Sequence, residues 1–246
     1  MPVQHRITRA SERQLREDLA AAFRLAAKFG WHESVGNHFS AAVSEDGLHF
    51  LLNRKWQHFA SIRPDDLLLL DAGDPEVMNG PDAPDASAWT IHGTIHRLCP
   101  AARVVLHCHP IHATALAMLA DPELKPLDNN TARFFKRVAY DRSFGGIVDA
   151  AEEGVRLARA LGDNRTMLMG NHGLLCTGET VAHAFEDMYF FERAAQTQLL
   201  AYASSQQLAV LCDATAEKTA RGWEPYRGMA DAHFAYLKST LEPLDG

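Results

Sequence analysis

Leu15, Leu19, Ala22, Phe23 and Ala26 recur every three or four residues, the spacing that lines one face of an α-helix. Ser11 and Gln14 form a capping box ahead of this run and Gly30 a stop behind it, predicting a helix over 11–29. Beyond it the period shortens. Apolar segments at 38–43 and 48–52 flank Ser44-Glu45-Asp46-Gly47, whose Asp-Gly pair supplies the positive φ of a tight turn, and predict a β-hairpin. Residues 67–70 read as a further strand, and the Pro-, Asp- and Gly-rich stretch 74–85 as a surface loop.

Ser87 is placed to cap a helix in which Ile91, Ile95 and Leu98 share a face. A strand over 103–107 then runs toward Pro110, which suits the first turn of a helix over 111–119. Asp149 with Glu152 opens another helix that Gly162 ends, and a strand at 166–169 meets a returning partner at 174–177. Thr180 caps a long helix whose buried stripe is Val181, Ala184, Phe185, Met188, Ala195 and Leu199. The mixture predicts one layered α/β or α+β domain over 1–246, with its core at about 11–205 and a less periodic tail at 206–246.

Composition narrows the function classes. Hydrophobic residues make up 47% of the 246 and charged residues 22%, enough to bury a sizeable core. Lys and Arg number 24 against 31 Asp and Glu, a net charge of −7 that offers no basic surface to nucleic acid or anionic lipid. No apolar run reaches the ~18 residues of a membrane span, and residues 1–10 lack the apolar stretch of a secretory signal, so a cytoplasmic protein is expected. Cys99, Cys108, Cys176 and Cys212 show no C-x-x-C spacing and are expected as free thiols.

His107-Cys108-His109 places two imidazoles two residues apart, on one face of an extended segment. His172 sits in Gly170-Asn171-His172-Gly173, a turn whose glycines permit close approach. Three imidazoles suit zinc, iron, manganese or cobalt and leave a coordination position open. On residue chemistry alone the same three read equally as hydrogen-bonded histidines at a strand end and in a turn.

The segments Ser34-Val35-Gly36-Asn37-His38-Phe39-Ser40, Val104-Val105-Leu106-His107-Cys108-His109 and Met169-Gly170-Asn171-His172-Gly173-Leu174-Leu175 resemble the class II aldolase and adducin family, as does the stretch 178–185. Their order and spacing match over roughly 15–201. The resemblance implies a three-layer α/β/α sandwich, a divalent metal held by His107, His109 and His172, and a homo-oligomer, usually a tetramer, with sites between subunits. It also points to Gly36, Asn37 and Ser87 as substrate-binding residues and to His92, on the helix after Ser87, as a catalytic candidate. Tyr140, the second catalytic candidate, lies in the region from which family members reach a neighbouring subunit.

The departures from that pattern bear on the reaction. Family aldolases carry a catalytic Glu where this chain has Ala88, and Ala supplies neither the base nor the acid that retro-aldol cleavage needs. A small hydroxylic turn is replaced by Asn53-Arg54-Lys55-Trp56-Gln57-His58-Phe59, where Arg54 is suited to a carboxylate and Trp56 or Phe59 to a flat ring, unless the loop is simply solvated. Decarboxylation of a β-oxo or hydroxy-aromatic acid needs an electron sink, which a divalent ion supplies, and no base, because the carboxylate is already ionised. The expectation is therefore a metal-dependent decarboxylase acting on a small carboxylated substrate. The alternatives are a retro-aldolase, a non-haem iron oxygenase, and an adducin-like binding module without catalysis.

Overall fold

The computed structural model describes residues 11–146 and 151–244. Helix α1 (Glu12–Lys28) forms where the three-and-four spacing puts it, with Ser11 Oγ accepting from the Gln14 N–H. Strands β1 (His38–Ala42) and β2 (His49–Leu52) make the expected antiparallel hairpin, Ala41 opposite Leu51. The chain continues through β3 (Leu68–Asp71), α2 (Ala86–Leu98), β4 (Val104–Cys108), α3 (Ile111–Ala117), α4 (Asn129–Arg133) and β5 (Val138–Asp141). It ends with α5 (Ala151–Leu161), β6 (Thr166–Met169), β7 (Gly173–Gly178), α6 (Val181–Ala203), α7 (Asp213–Trp223) and α8 (Arg227–Ser239).

The strands form one sheet in the order β3-β2-β1-β4-β7-β6-β5, antiparallel except for the parallel β5–β6 pair. Alternation along each strand sorts the core into two halves. Val104 and Leu106 of β4 and Leu168 of β6 join Phe23, Phe185, Met188 and Phe191 of α1 and α6. Val105, Met167 and Met169 point the other way, onto Ile91, Ile95 and Leu157 of α2 and α5. Helices thus cover both faces, which is the three-layer α/β/α arrangement. The α2–α5 contact is close because Gly154 lacks a side chain: a Cβ there would stand 2.7 Å from the Thr90 carbonyl oxygen.

The aromatic core reaches the loop after β2. Phe23 stacks on Phe39 with centroids 4.7 Å apart and meets Phe59 edge-on at 4.6 Å, pinning the far end of that loop. On the opposite side of α6, Arg227 grips the buried Asp187 carboxylate through two bonds of 3.2 and 2.9 Å, holding the start of α8 to α6.

Several sequence expectations shift. Asp85, not Ser87, caps α2: its carboxylate accepts from the backbone N–H groups of Ser87 and Ala88, while the Ser87 hydroxyl also donates to it. The helix after Pro110 stops at Ala117. The Asp149 cap falls outside the described residues. Elements β5 and α4 span four and five residues, too short for a periodic signal, and α7 and α8 each bury only two residues, mostly alanine. Among the described residues no helix is long and apolar enough to cross a membrane.

Candidate metal centre

The edge where β4 ends carries the chemistry. His107 is the fourth residue of β4 and His109 follows the strand, while β1 lies alongside with His38 opposite His107. His172 comes from the three-residue link between β6 and β7, where Asn171 adopts φ +55°. Gly173 lets that link close onto the first two histidines, since a Cβ at this position would lie 2.4 Å from His109 Cδ2.

The three rings form a near-equilateral triangle, with centroid separations of 5.1 Å for His107 and His109, 4.8 Å for His107 and His172, and 4.9 Å for His109 and His172. One nitrogen from each lies within 4.8 Å of the other two. Hydrogen bonds settle which nitrogens are free. His107 Nδ1 donates to the Leu174 carbonyl at 3.1 Å, and His109 Nδ1 donates to the Glu33 carboxylate at 2.7 Å. Each leaves Nε2 as a lone-pair donor, and His109 Nε2 is buried with no hydrogen-bond partner. Burial, then the neighbouring histidines, hold His107 well below the ordinary imidazole range and push His172 down to about 4, so both stay neutral, the ligating form. This donor set fits one divalent ion.

A second row of histidines stands behind the first. His38 Nδ1 meets His92 Nε2 at 2.7 Å, and the Ser40 hydroxyl lies between His92 Nδ1 and His96 Nε2, 2.7 Å from the latter. His96 Nδ1 reaches the Ala102 carbonyl at 2.9 Å. Burial lowers His38 and His96 to about 4 and His92 well below its usual value.

A cavity of about 510 Å³ opens over the triad, lined also by Gly36, His38, Asp85, Ser87, Ile91 and Phe144. Burial raises the Asp85 carboxyl, but the Ser87 hydroxyl, the Ala88 N–H and nearby His38 outweigh it, leaving a net lowering. Of the residues singled out from sequence, His107, His109, His172, Gly36 and Ser87 therefore meet at one cavity. Asn37 is buried beneath it, its side-chain oxygen accepting from the Glu33 N–H at 2.6 Å. His92 is fully buried one hydrogen bond behind His38.

Tyr140 and Arg54 do not line the cavity. The Tyr140 hydroxyl accepts from the Leu124 N–H at 2.9 Å, and burial pushes its phenol up. Arg54 pairs with Asp82 across the loop. Ala88, at the position of the family's Glu, turns its methyl into a small cluster with Ala42, Phe50, Leu52 and Leu70. Glu33, His38, Ser40, Asp85 and Phe144 escape the sequence reading as site residues, whereas the i, i+4 spacing of His92 and His96 already puts both on one helix face. For His38 with Ser40 a signal exists: i, i+2 on a strand places two polar groups on one face.

The family model for the class II aldolase and adducin N-terminal domain matches residues 17–199. The decarboxylase NovR of Streptomyces niveus is 28% identical over 234 residues, covering 91% of this chain and 86% of that protein. The 4-hydroxy-3-prenylphenylpyruvate oxygenase/4-hydroxy-3-prenylbenzoate synthase of Streptomyces roseochromogenus subsp. oscitans is 27% identical over 223 residues, covering 88% and 80%. The crystal structure of an aldolase II superfamily protein from Pseudomonas syringae superposes with a TM-score of 0.82 at 29% identity, covering 96% of this chain and 95% of that one. Fold, histidine cluster and family model coincide over the same stretch, and the chain belongs to the class II aldolase and adducin family.

Proposed function

We propose that the protein is a divalent-metal-dependent carbon–carbon lyase that decarboxylates a small hydroxy-aromatic or β-oxo acid. The observation that carries this reading is the pairing of a converging triad of imidazoles with an apolar Ala88, which packs in a small apolar cluster where the family's aldolases place a Glu. An ion bound there supplies a Lewis acid that draws electrons from a carbonyl or phenolate oxygen. Zinc, manganese, iron and cobalt all suit three imidazoles.

The chain's own residues do the rest. His107, His109 and His172 hold the ion, with Leu174 and Glu33 fixing the ligand tautomers. Gly36 and Ser87 line the cavity together with the apolar Ile91, Met118 and Phe144, which offer contact to a flat substrate. The Phe144 ring is 54% exposed and within 6.2 Å of the His172 ring, placed to stack on such a substrate. Met118, 62% exposed, joins Phe144 at an apolar rim of the cavity, and Ile111, 67% exposed, starts the helix that Met118 caps. These uncovered apolar side chains support a homo-oligomer, a tetramer by family, closing the site from a neighbouring copy.

The similarity to NovR, named as a decarboxylase, supports this choice. A second reading, an iron-dependent oxygenase, is favoured by the similarity to an oxygenase of prenylated phenylpyruvate. Loading the protein with Zn²⁺, Mn²⁺, Fe²⁺ or Co²⁺ and following CO₂ and O₂ with hydroxybenzoates and β-oxo acids separates them. CO₂ release without O₂ uptake is expected; O₂ uptake coupled to product would establish the oxygenase.

A further inference from the structure

The second row of histidines has a polarity that hydrogen-bond chemistry alone dictates. The Ala102 carbonyl oxygen can only accept, so His96 Nδ1 carries the proton and His96 Nε2 the lone pair. The Ser40 hydroxyl must then donate to His96 Nε2, which leaves the serine oxygen to accept from His92 Nδ1. His92 Nε2 is consequently a lone pair, and His38 Nδ1 donates to it. The sequence of bonds ends at His38, whose remaining nitrogen, Nε2, is left as a lone pair with no partner among the described residues. Among the described residues no carboxylate is hydrogen-bonded to any of the three rings.

His38 stands beside the triad, its ring centroid 5.0 Å from that of His107, and it lines the same cavity. We propose that His38 Nε2 is a substrate-contacting hydrogen-bond acceptor, oriented by His92, Ser40 and His96 as positioning residues, and that it selects acids bearing a hydroxyl group over β-oxo acids that lack one. This rests on the reading of the cavity as the substrate site and deepens it. A hydroxyl next to the acid satisfies Nε2 on binding, whereas a ligand without a donor leaves that nitrogen desolvated and unpaired.

Two measurements test it. Nitrogen-15 correlation spectra of the metal-free protein report which ring nitrogens carry protons, and His38 and His96 are both expected as Nδ1–H tautomers. On the Zn²⁺-loaded protein, 2-hydroxybenzoate and 2-methoxybenzoate are compared by calorimetry. Removing the Ser40 hydroxyl frees His92 to reverse, and His38 with it, so Ser40→Ala should cut the hydroxy-over-methoxy affinity ratio about tenfold while Zn²⁺ affinity is unchanged. Comparing the ratio between two proteins with the same ion cancels the ion's own preference for a phenol. If Ser40→Ala does not fold, His38→Phe serves for the ratio.

An Nε2–H tautomer of His38 in the parent, or an affinity ratio that is the same in parent and variant, overturns the proposal. A hydroxyl preference that depends on Ser40, in a protein that releases CO₂ from none of its hydroxy-acid ligands, would instead overturn the decarboxylase reading and leave this one standing.

Discussion

Glu33 and His109 are joined by a 2.7 Å hydrogen bond across 76 residues of sequence, and that bond aims a buried imidazole nitrogen at the centre of the triad. Glu33→Gln keeps an oxygen acceptor but removes the charge that raises the basicity of the ligand, and a drop in metal affinity of about 10- to 100-fold is expected. Chelator competition measures it. His107→Ala and His172→Ala should abolish stoichiometric binding, and full metal content in both by elemental analysis would show that the ion sits elsewhere.

Metal removal should also lower thermal stability. An ion at 100 times its Kd adds about 2.7 kcal/mol to a fold that binds it only when native. For a chain of this size that corresponds to a fall of roughly 5 to 10 °C in Tm on chelation. An unchanged melting curve would mean that no ion binds the folded state selectively.

Buried neutral histidines make the fold acid-sensitive. His96, lowered to about 4 by burial, stays mostly unprotonated in the native state until pH approaches 4, whereas the unfolded chain takes up its proton near pH 6.5. The unfolded state therefore binds more protons in this window, and stability is complete above about pH 6.5 and lost as pH falls toward 4. Each such ring contributes a slope of at most about 1.4 kcal/mol per pH unit. Urea denaturation across pH 4 to 7 should show a shallower slope in His96→Phe than in the parent; equal slopes would place the acid sensitivity elsewhere.

Restoring a glutamate at position 88 is expected to damage the fold before it alters the reaction. Ala88 is 2% exposed and packs in an apolar cluster with Phe50, Leu52 and Leu70. Overpacking and an unpaired buried acid together should cost about 2 to 5 kcal/mol. A variant with parental Tm would show that the side chain has found the cavity instead, and would then be the right protein in which to look for aldol cleavage.

Oligomerisation is tested at the rim. Sedimentation should give a species several times the 27.2 kDa of one chain, and charges at Ile111→Glu and Met118→Glu should shift it toward the monomer. A monomeric parent at working concentration would leave the apolar rim without the expected cover.

The hairpin, the central strands and the long helices were legible because their apolar periods are long enough to register, as the Val181 to Ala203 helix illustrates. The triad was legible because its spacing sits inside a motif. The second row was legible only in half: His92 and His96 share a helix face by their spacing, but His38 and Ser40 lie on another element 52 to 56 residues away, and only the packing of α2 over β1 joins the two pairs into one hydrogen-bonded series. Asp85 was hidden for a related reason, since the serine two residues later offered an equally good cap by sequence alone.

The bond from His107 Nδ1 to the Leu174 carbonyl has a kinetic consequence. It closes across 67 residues and exists only once β4 and β7 are in register, His107 opposite Leu175. The triad is thus assembled by long-range strand pairing, and in a chain that has not yet made that pairing only two of its three histidines, His107 and His109, are close together. The complete three-histidine set therefore exists only after the β4–β7 pairing has formed. The ion should accordingly leave the folding rate almost unchanged and act by slowing unfolding, so that loaded protein differs from apo protein in how long each molecule lasts.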